Sequence, residues 1–340
     1  MAYPFSGSGY GRVRKCTPSA VLARVRHDSD RGSDKVGTAI HQHLCDRARG
    51  GISYAMERLP AVCVQWKLSA KETGIVHARC RSFEWSPPRG AVAEIGLCML
   101  RGGRVVRCKG GHGQYDVPDD ALVPLTFDVM WSEPEPLIAR YCSDCTGGYL
   151  EHAPCGVQGC DHEEVCRSCD GSNMGPPVCP DGSTLFVADY KTGRDANVEP
   201  IETNAQLELA SLLAARWTGA QLVMPAVIFV RRGEGQWDVP QYSYDADKLN
   251  DIERELLGVL QSIEVQRGLL AQGEPLALRE GPQCTYCEAQ WRCPAKTALI
   301  KSVFGSEPVP FGEAPLDEEQ RVKAAHALPI LEATAKKLRV

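Results

Sequence analysis

Residues 185–194 read LFVADYKTGR, a short apolar run that is followed by an acid, a lysine and a glycine. The run Leu185 to Ala188 is short and apolar, which is typical of a buried β-strand. Residues two positions apart on a strand point to the same face of a sheet, so Asp189 and Lys191 are expected to share one face before Gly193 ends the strand. Such a pair can belong to a solvated strand edge or to a chemical site, and the surrounding sequence has to decide between them.

A second acid stands alone in the apolar run LVPLTFDVMW, residues 122–131. An unpaired carboxylate inside such a strand costs free energy unless a cation or a hydrogen-bond donor meets it. Asp128 and Asp189, on neighbouring strands, could together hold one hard divalent cation such as Mg²⁺. The Lys191 ammonium could then orient and help to deprotonate a metal-bound water, or stabilise charge on a phosphate. These groups suit the hydrolysis of a phosphodiester bond.

Helices and strands are predicted in mixed order around these two acids. Helical apolar spacing occurs in 18–26, 35–51, 203–220 and 245–272, and strand patterns occur in 61–68, 91–100, 122–131, 185–190 and 222–232. This order predicts an α/β fold in which one mixed central sheet is flanked by helices. A flexible start is expected at 1–16, a cysteine-rich insertion at 141–182, and a tail with one helix at 301–340.

Composition narrows the classes of function that remain. The 340 residues carry a formal net charge of −5, so any binding of DNA must come from a local basic groove. No run approaches the roughly 18 apolar residues of a membrane-spanning helix, so no membrane association is expected. The first 15 residues lack the apolar centre of a signal peptide, which predicts a cytoplasmic location. In that reducing compartment, the 16 cysteines favour metal binding over disulfides.

Four short motifs follow one another along the chain: GTAIH at 37–41, Asp128 late in a strand, DYKTG at 189–193 and QLELA at 206–210. In this order they resemble the PD-(D/E)xK nuclease superfamily, and within it the RecB-type exonucleases. That branch includes CRISPR-associated iron–sulfur exonucleases and related phage or bacterial proteins. The resemblance implies a restriction-endonuclease-like fold over 17–300 and a deoxyribonuclease that depends on Mg²⁺ or Mn²⁺.

The resemblance also implies roles for individual residues. The implied metal ligands are His41, Asp128, Asp189 and the backbone carbonyl of Tyr190, the implied catalytic lysine is Lys191, and Gln206 helps to place the lysine or the DNA. The sequence departs from the family pattern at Ala210, where a tyrosine is frequent, and before Asp128, where the family often has a glycine. Glu94 lies in a strand where related phage nucleases often carry an acid, and it could face the metal or be an ordinary edge residue.

A cysteine knuckle follows the last predicted strand–helix pair. Cys284, Cys287 and Cys293 lie within ten residues, and three thiolates at this spacing suit an iron–sulfur cluster or zinc. In the resembling exonucleases, three C-terminal cysteines and one N-terminal cysteine hold a 4Fe–4S cluster. The fourth ligand here is left open between Cys16, which is preferred, then His27, with Cys45 as a further alternative. Without a fourth thiolate, zinc or no metal becomes the expectation.

The insertion at 141–182 carries a different pattern. Two C-x2-C pairs, Cys142 with Cys145 and Cys166 with Cys169, are separated by 20 residues, which is zinc-ribbon spacing and predicts a structural zinc. A second site could form from His152, Cys155, Cys160 and His162, although ordinary loop residues would explain these four equally well.

The sequence therefore predicts a metal-dependent DNA nuclease, most simply an exonuclease, that acts on single-stranded DNA or on DNA with free ends. The resemblance implies a role in recombination, repair or CRISPR-type processing, with proteins of those pathways as partners. One alternative is an inactive nucleic-acid- or protein-binding module, and another is a regulatory protein that works through the zinc insertion. The joint presence of Asp189, Lys191 and Gln206 favours the enzyme, because binding alone does not need that set. Arg167 is the one basic residue within 142–179, which argues against the insertion as the main grip on DNA.

Overall fold

A computed structural model gives the fold of the chain. It describes residues 3–22, 32–83, 85–88, 90–111, 114–139, 176–192, 199–230, 236–238, 243–279, 281, 283–284, 287, 289 and 293–295. The described residues fall into two compact units, which are Met1–Tyr10 with Asp30–Leu257, and Gly11–Ser29 with Gly258–Val340. Residues 141–175 of the predicted zinc-type insertion and the whole C-terminal tail lie outside the described residues, so these two predictions stay as predictions.

Helices and strands follow one another in mixed order along the described residues. The helices are α1 (Gly7–Lys15), α2 (Gly32–Gln65), α3 (Ala70–Ser82), α4 (Ala205–Thr218) and α5 (Ala246–Gln272), with a short 3₁₀ helix at Thr17–Ala20. The strands are β1 (Val92–Leu100), β2 (Val105–Gly111), β3 (Gln114–Asp116), β4 (Ala121–Glu133), β5 (Thr184–Lys191), β6 (Val223–Phe229) and β7 (Gln236–Asp238).

The described strands form one seven-stranded sheet in the order β3-β2-β1-β4-β5-β6-β7. Strands β5 and β6 pair in parallel, and the other neighbouring described strands pair in antiparallel fashion. A parallel pair needs a crossover connection, and α4 supplies it between β5 and β6. The prediction of an α/β fold with a mixed central sheet is therefore confirmed.

Helices cover both faces of this sheet. Alternate residues of β6 lie in different apolar clusters, because successive side chains of a strand point to opposite faces. Ala226 and Ile228 pack in a cluster with residues of α2 and α3, whereas Val227 and Phe229 pack with Leu207 of α4. The strands between the two helical layers are thus buried on both sides, which explains their nearly continuous apolar sequences.

The first 16 residues are not the flexible start that the sequence predicted. Gly7–Lys15 form α1, and the side chains of Phe5, Tyr10 and Val13 are fully buried. The rings of Phe5 and Tyr10 stack with their centroids 5.7 Å apart. The glycines and serines of this segment suggested flexibility, but its three buried apolar side chains hold it in one conformation.

The strand predicted at 61–68 is also wrong, because α2 continues to Gln65. Gly51 has φ +80° and interrupts the helical backbone where the sequence predicted that the helix would end, but a second helical segment follows. Leu59, Val62 and Cys63 of that segment are buried, at the three- and four-residue spacing of one helix face. Within the described residues, no helix is both long and apolar enough to cross a membrane.

Candidate active site

The two predicted acids lie where strands β4 and β5 stop pairing. Their antiparallel pairing runs from Glu133 opposite Thr184 to Val129 opposite Ala188, and Asp128 and Asp189 are the next residue on each strand. Beyond this point β4 remains paired with β1, and β5 remains paired with β6. We call this opening the strand fork. It brings two carboxylates from neighbouring strands to one place, as the sequence predicted.

Asp128 is held by two donors on opposite sides of its carboxylate. The amide N–H of Tyr190 donates to Oδ2 at 2.5 Å, and His41 Nδ1 lies 3.3 Å from Oδ1. Burial alone would raise the pKa of Asp128, but the His41 charge and these hydrogen bonds outweigh burial and leave the pKa below its usual range. Burial likewise opposes the charged form of His41, yet Asp128 raises the pKa of the imidazole above its ordinary value. This carboxylate is therefore kept ionised.

Asp189 is placed between a lysine and an amide. Lys191 Nζ lies 2.6 Å from Oδ2, and Gln206 Nε2 donates to Oδ1 over 3.2 Å. Gln206 stands in the first turn of α4, where Asn204 caps the helix by accepting hydrogen bonds from two backbone amides. The cap fixes the helix start, and with it the amide that orients Asp189.

The two acids differ in how readily they ionise. Burial first, and then the nearby charge of Asp128, raise the pKa of Asp189 to about 6, although Lys191 opposes the change. Burial would lower the pKa of Lys191, but the charge of Asp189 outweighs it and keeps the ammonium protonated. Asp128 exposes 16% of its side chain and Asp189 exposes 14%, so water screens their repulsion weakly. Two largely buried carboxylates in one fork are stabilised by more positive charge than Lys191 alone supplies.

The ligand chemistry of the fork fits a hard divalent cation. Carboxylate and carbonyl oxygens suit Mg²⁺ and Mn²⁺, and imidazole is compatible with Mn²⁺. The backbone of Tyr190 already contacts Asp128 through its amide, so its carbonyl belongs to the same fork. Among the described residues, no three His, Cys, Asp or Glu side chains are yet arranged to hold a metal ion. In this arrangement the Lys191 ammonium is the cation that neutralises Asp189.

Glu94 and Cys45 also lie at the fork. From the sequence, Glu94 could either face the metal or be an edge residue, and Cys45 was only an alternative ligand of the C-terminal cluster. Glu94 lies between two β1–β4 pairs, Ala93 with Val129 and Ile95 with Phe127, so it stands opposite Asp128. Its φ of +52° is the left-handed region that non-glycine residues rarely adopt. Cys45 follows His41 by one helical turn and hydrogen-bonds to Glu94. Burial, followed by the charges of Glu94 and Asp128, raises the pKa of that thiol.

The Cys45 contact could have been suspected, because residues four apart share a helix face and His41 was already a candidate. The geometry favours Glu94 as a residue that faces the site over an ordinary edge residue. Cys45 has a partner in this fork, which makes it a poorer candidate for the fourth ligand of the C-terminal cysteines.

Two sequence motifs meet just beyond Lys191. A Cβ atom added to Gly37 would lie 3.2 Å from Oγ1 of Thr192, so the glycine of GTAIH allows a close approach of the DYKTG segment. The amide of Val230 donates to the Lys191 carbonyl at 2.9 Å, and Arg79 donates to the Thr192 carbonyl, also at 2.9 Å. The chain that follows the lysine is therefore held from several sides. Gly193 itself lies outside the described residues.

The C-terminal cysteines line a cavity in the second unit. Its lining includes the four predicted ligands, which are Cys16, Cys284, Cys287 and Cys293. Arg12 also lines this cavity, and the Nε atom of its guanidinium is buried without a hydrogen-bond partner among the described residues. Burial raises the pKa of the Cys287 thiol, and the charge of Arg12 opposes this effect. All four thiols therefore line one cavity, but among the described residues no three His, Cys, Asp or Glu side chains are arranged to hold a metal ion. A metal centre held by these cysteines stays a prediction.

Other predicted ligands cannot be placed in the same way. His27 lies outside the described residues, and so do the predicted zinc ligands Cys142, Cys145, Cys166 and Cys169, together with His152, Cys155, Cys160 and His162. Both zinc predictions therefore stay as predictions.

A comparison with protein-family models gives a match over part of the chain. Residues 179–294 match the family model of the PD-(D/E)XK nuclease superfamily. This range contains Asp189, Lys191 and Gln206 and the three C-terminal cysteines, and it begins after Asp128. No curated protein gives a match to the sequence.

Among solved structures, one titled "Crystal structure of SSO0001" is 11% identical. The similarity covers 78% of this chain and 94% of that chain, and the TM-score of 0.26 is too low to indicate a shared fold. The superfamily prediction is thus supported over 179–294, and the RecB-type or CRISPR-associated branch stays a prediction.

Proposed function

We propose that this chain is a Mg²⁺- or Mn²⁺-dependent deoxyribonuclease that hydrolyses phosphodiester bonds at the strand fork. The observation that carries the proposal is the convergence of two buried carboxylates, Asp128 and Asp189, with Lys191 at 2.6 Å from the second. The family match over 179–294 supports the same reaction class. An inactive binding module would not need a buried acid–lysine–amide set of this kind.

The roles of the residues follow from their contacts. Asp128, Asp189, His41 and the carbonyl of Tyr190 would hold the metal, which when bound polarises a water molecule and the phosphate. A water oxygen attacks phosphorus and gives up a proton to solvent. The bond from phosphorus to one ester oxygen breaks, and that oxygen takes up a proton to become the hydroxyl of the second product. Lys191 places a positive charge beside the reacting groups, where it orients the water and stabilises the negative charge that develops. Gln206 keeps the Asp189 carboxylate in one orientation through its 3.2 Å hydrogen bond.

We further propose that the enzyme is an exonuclease, since the order of its motifs resembles RecB-type exonucleases. End-labelled linear DNA, both single- and double-stranded, should be degraded in Mn²⁺, whereas a covalently closed circle of the same sequence should stay intact. The circle linearised by a restriction enzyme is the matched control. Nicking or opening of the closed circle at a comparable rate would show an endonuclease. A cytoplasmic role in recombination, repair or CRISPR-type processing, with partners from those pathways, fits an enzyme that needs free ends.

We propose a 4Fe–4S cluster as the occupant of the cysteine cavity, with zinc as the alternative metal, and a separate structural zinc in the insertion. Anaerobically purified protein should contain iron and acid-labile sulfide, and Cys16→Ser and Cys287→Ser should lose both. Cys108→Ser is a suitable control, because Cys108 lies on β2 and is not among the residues that line the cavity. Iron-free wild-type protein with zinc in excess of one ion per chain would support zinc in both places.

A further inference from the structure

Arg79 is a basic residue beside the fork that no sequence motif pointed to. It lies in the last turn of α3, is partly exposed, and donates from one terminal nitrogen to the Thr192 carbonyl at 2.9 Å. Thr192 follows Lys191 directly, so Arg79 contacts the backbone one residue after the proposed catalytic lysine. The two residues joined by this hydrogen bond are 113 positions apart in the sequence.

The guanidinium retains binding capacity after this contact. An arginine has five N–H donors, and among the described residues the Arg79 guanidinium donates one hydrogen bond and forms no salt bridge. Arg47 shows the contrasting arrangement, because it is 5% exposed and donates to the backbone carbonyls of Phe83 and Trp85 at 2.6 and 3.0 Å. Arg47 therefore stabilises the interior, whereas the partly exposed Arg79 lies against the segment that follows Lys191.

The acidic groups of the fork explain why a positive charge at Arg79 would help to bind DNA. The fork contains the carboxylates of Asp128 and Asp189, and Glu94 stands next to them, whereas Lys191 contacts only Asp189. The acidic groups there therefore oppose the approach of a phosphate. The chain as a whole has a net charge of −5 and offers no general attraction to nucleic acid. Fixed positive charges near the fork therefore have to hold the substrate backbone, and the planar guanidinium suits phosphate oxygens particularly well.

We propose that Arg79 is a substrate-binding residue that contacts a backbone phosphate of the DNA next to the scissile bond. One N–H fixes the Thr192 carbonyl, and the remaining donors bind the phosphate. The contact places the scissile group relative to Lys191, since Arg79 is tied to the residue that follows the lysine. This inference rests on the proposed nuclease function and adds to it the group that positions the substrate.

The test is DNA binding in Ca²⁺, measured over a series of salt concentrations for wild type, Arg79→Gln and Arg81→Gln. Arg81 is the matched control, because it lies in the same helical turn, carries the same charge and is exposed. Arg79→Gln should lower the affinity roughly tenfold and reduce the slope of log affinity against log salt by about one. Arg81→Gln should bind like wild type with an unchanged slope.

Equal affinity and equal slope for Arg79→Gln and Arg81→Gln, in a wild type that binds and cleaves DNA, would overturn this inference and leave the nuclease proposal intact. A folded wild type that neither binds nor cleaves DNA would overturn both proposals. If Arg79→Gln does not fold, Arg79→Lys is tested in its place. A single ammonium cannot bind the Thr192 carbonyl and the phosphate together as well as a guanidinium can. Arg79→Lys should bind roughly threefold more weakly than wild type with the salt slope retained, and wild-type affinity would contradict the proposal.

Discussion

Replacing Lys191 with alanine is expected to lower the rate of metal-dependent DNA cleavage by roughly 10²- to 10⁴-fold, the usual contribution of a group that assists proton transfer or stabilises developing charge. Lys191 is the cation that contacts Asp189, at 2.6 Å, and both acids of the fork help to keep it protonated. Its removal takes away the charge that orients the water. The rate is measured on labelled linear DNA at saturating Mn²⁺, under single-turnover conditions.

Lys71→Ala is the matched control, since Lys71 is an exposed lysine in the first turn of α3. It should cleave at the wild-type rate. The affinity of Lys191→Ala for DNA in Ca²⁺ should fall by much less than the cleavage rate, because the lysine acts on the reaction itself. If Lys191→Ala retained more than a tenth of the wild-type rate while Lys71→Ala was normal, the proposed role of the lysine would be wrong.

Asp189→Asn is expected to abolish cleavage while making the metal-free protein more stable. The metal loses a charged ligand, so activity should fall by roughly 10³-fold or more. At the same time, asparagine removes a buried carboxylate whose pKa is raised to about 6, and its amide oxygen can still accept the Gln206 hydrogen bond. The relief of burial and the lost contact with Lys191 act in opposite directions, and burial is the larger of the two. Melting in EDTA at pH 7.5 should rise by about 2–4 °C.

The pH dependence of this gain has a definite sign. Because burial raises the pKa of Asp189 from 3.8 to about 6, the folded protein binds this proton more tightly than the unfolded chain. The Asp189 contribution to the stability of metal-free protein is therefore lost as the pH rises from about 4 to about 6. Wild type and Asp189→Asn should melt alike near pH 3.8 and differ most above pH 6.

Asp181→Asn, in an exposed turn before β5, is the control and should change neither activity nor melting. Lower stability of Asp189→Asn than of wild type in EDTA at pH 7.5 would contradict the claim that the ionised Asp189 destabilises the metal-free fold. Retained activity would contradict the proposed metal site.

The chemistry of the fork could be predicted because its residues carry local signals. Asp189 and Lys191 follow from strand alternation, and Asp128 follows from the cost of an acid in an apolar run. His41 and Gln206 came from the resemblance. The structure brings His41, Asp128, Asp189, Lys191 and Gln206 together at one fork, although His41 and Asp128 are 87 positions apart.

Other parts of the fold could not be predicted from local patterns. The run 61–68 is short and apolar, and periodicity alone does not distinguish a strand from one face of a helix at that length. The contact of Cys45 with Glu94, and that of Arg79 with Thr192, depend on how distant elements pack. The positive φ of Glu94 is likewise a property of the folded sheet, because nothing in the residue itself favours it.

The central claim is that the strand fork hydrolyses DNA with a divalent metal. The measurement that tests it most directly is the cleavage of labelled linear DNA by anaerobically purified wild-type protein, titrated with Mn²⁺ or Mg²⁺ from an EDTA baseline. The account predicts no cleavage in EDTA, a rate that rises and saturates with metal, and loss of that rate in Lys191→Ala. Metal-independent cleavage, or the absence of cleavage on any DNA by folded, metal-loaded protein, would contradict it.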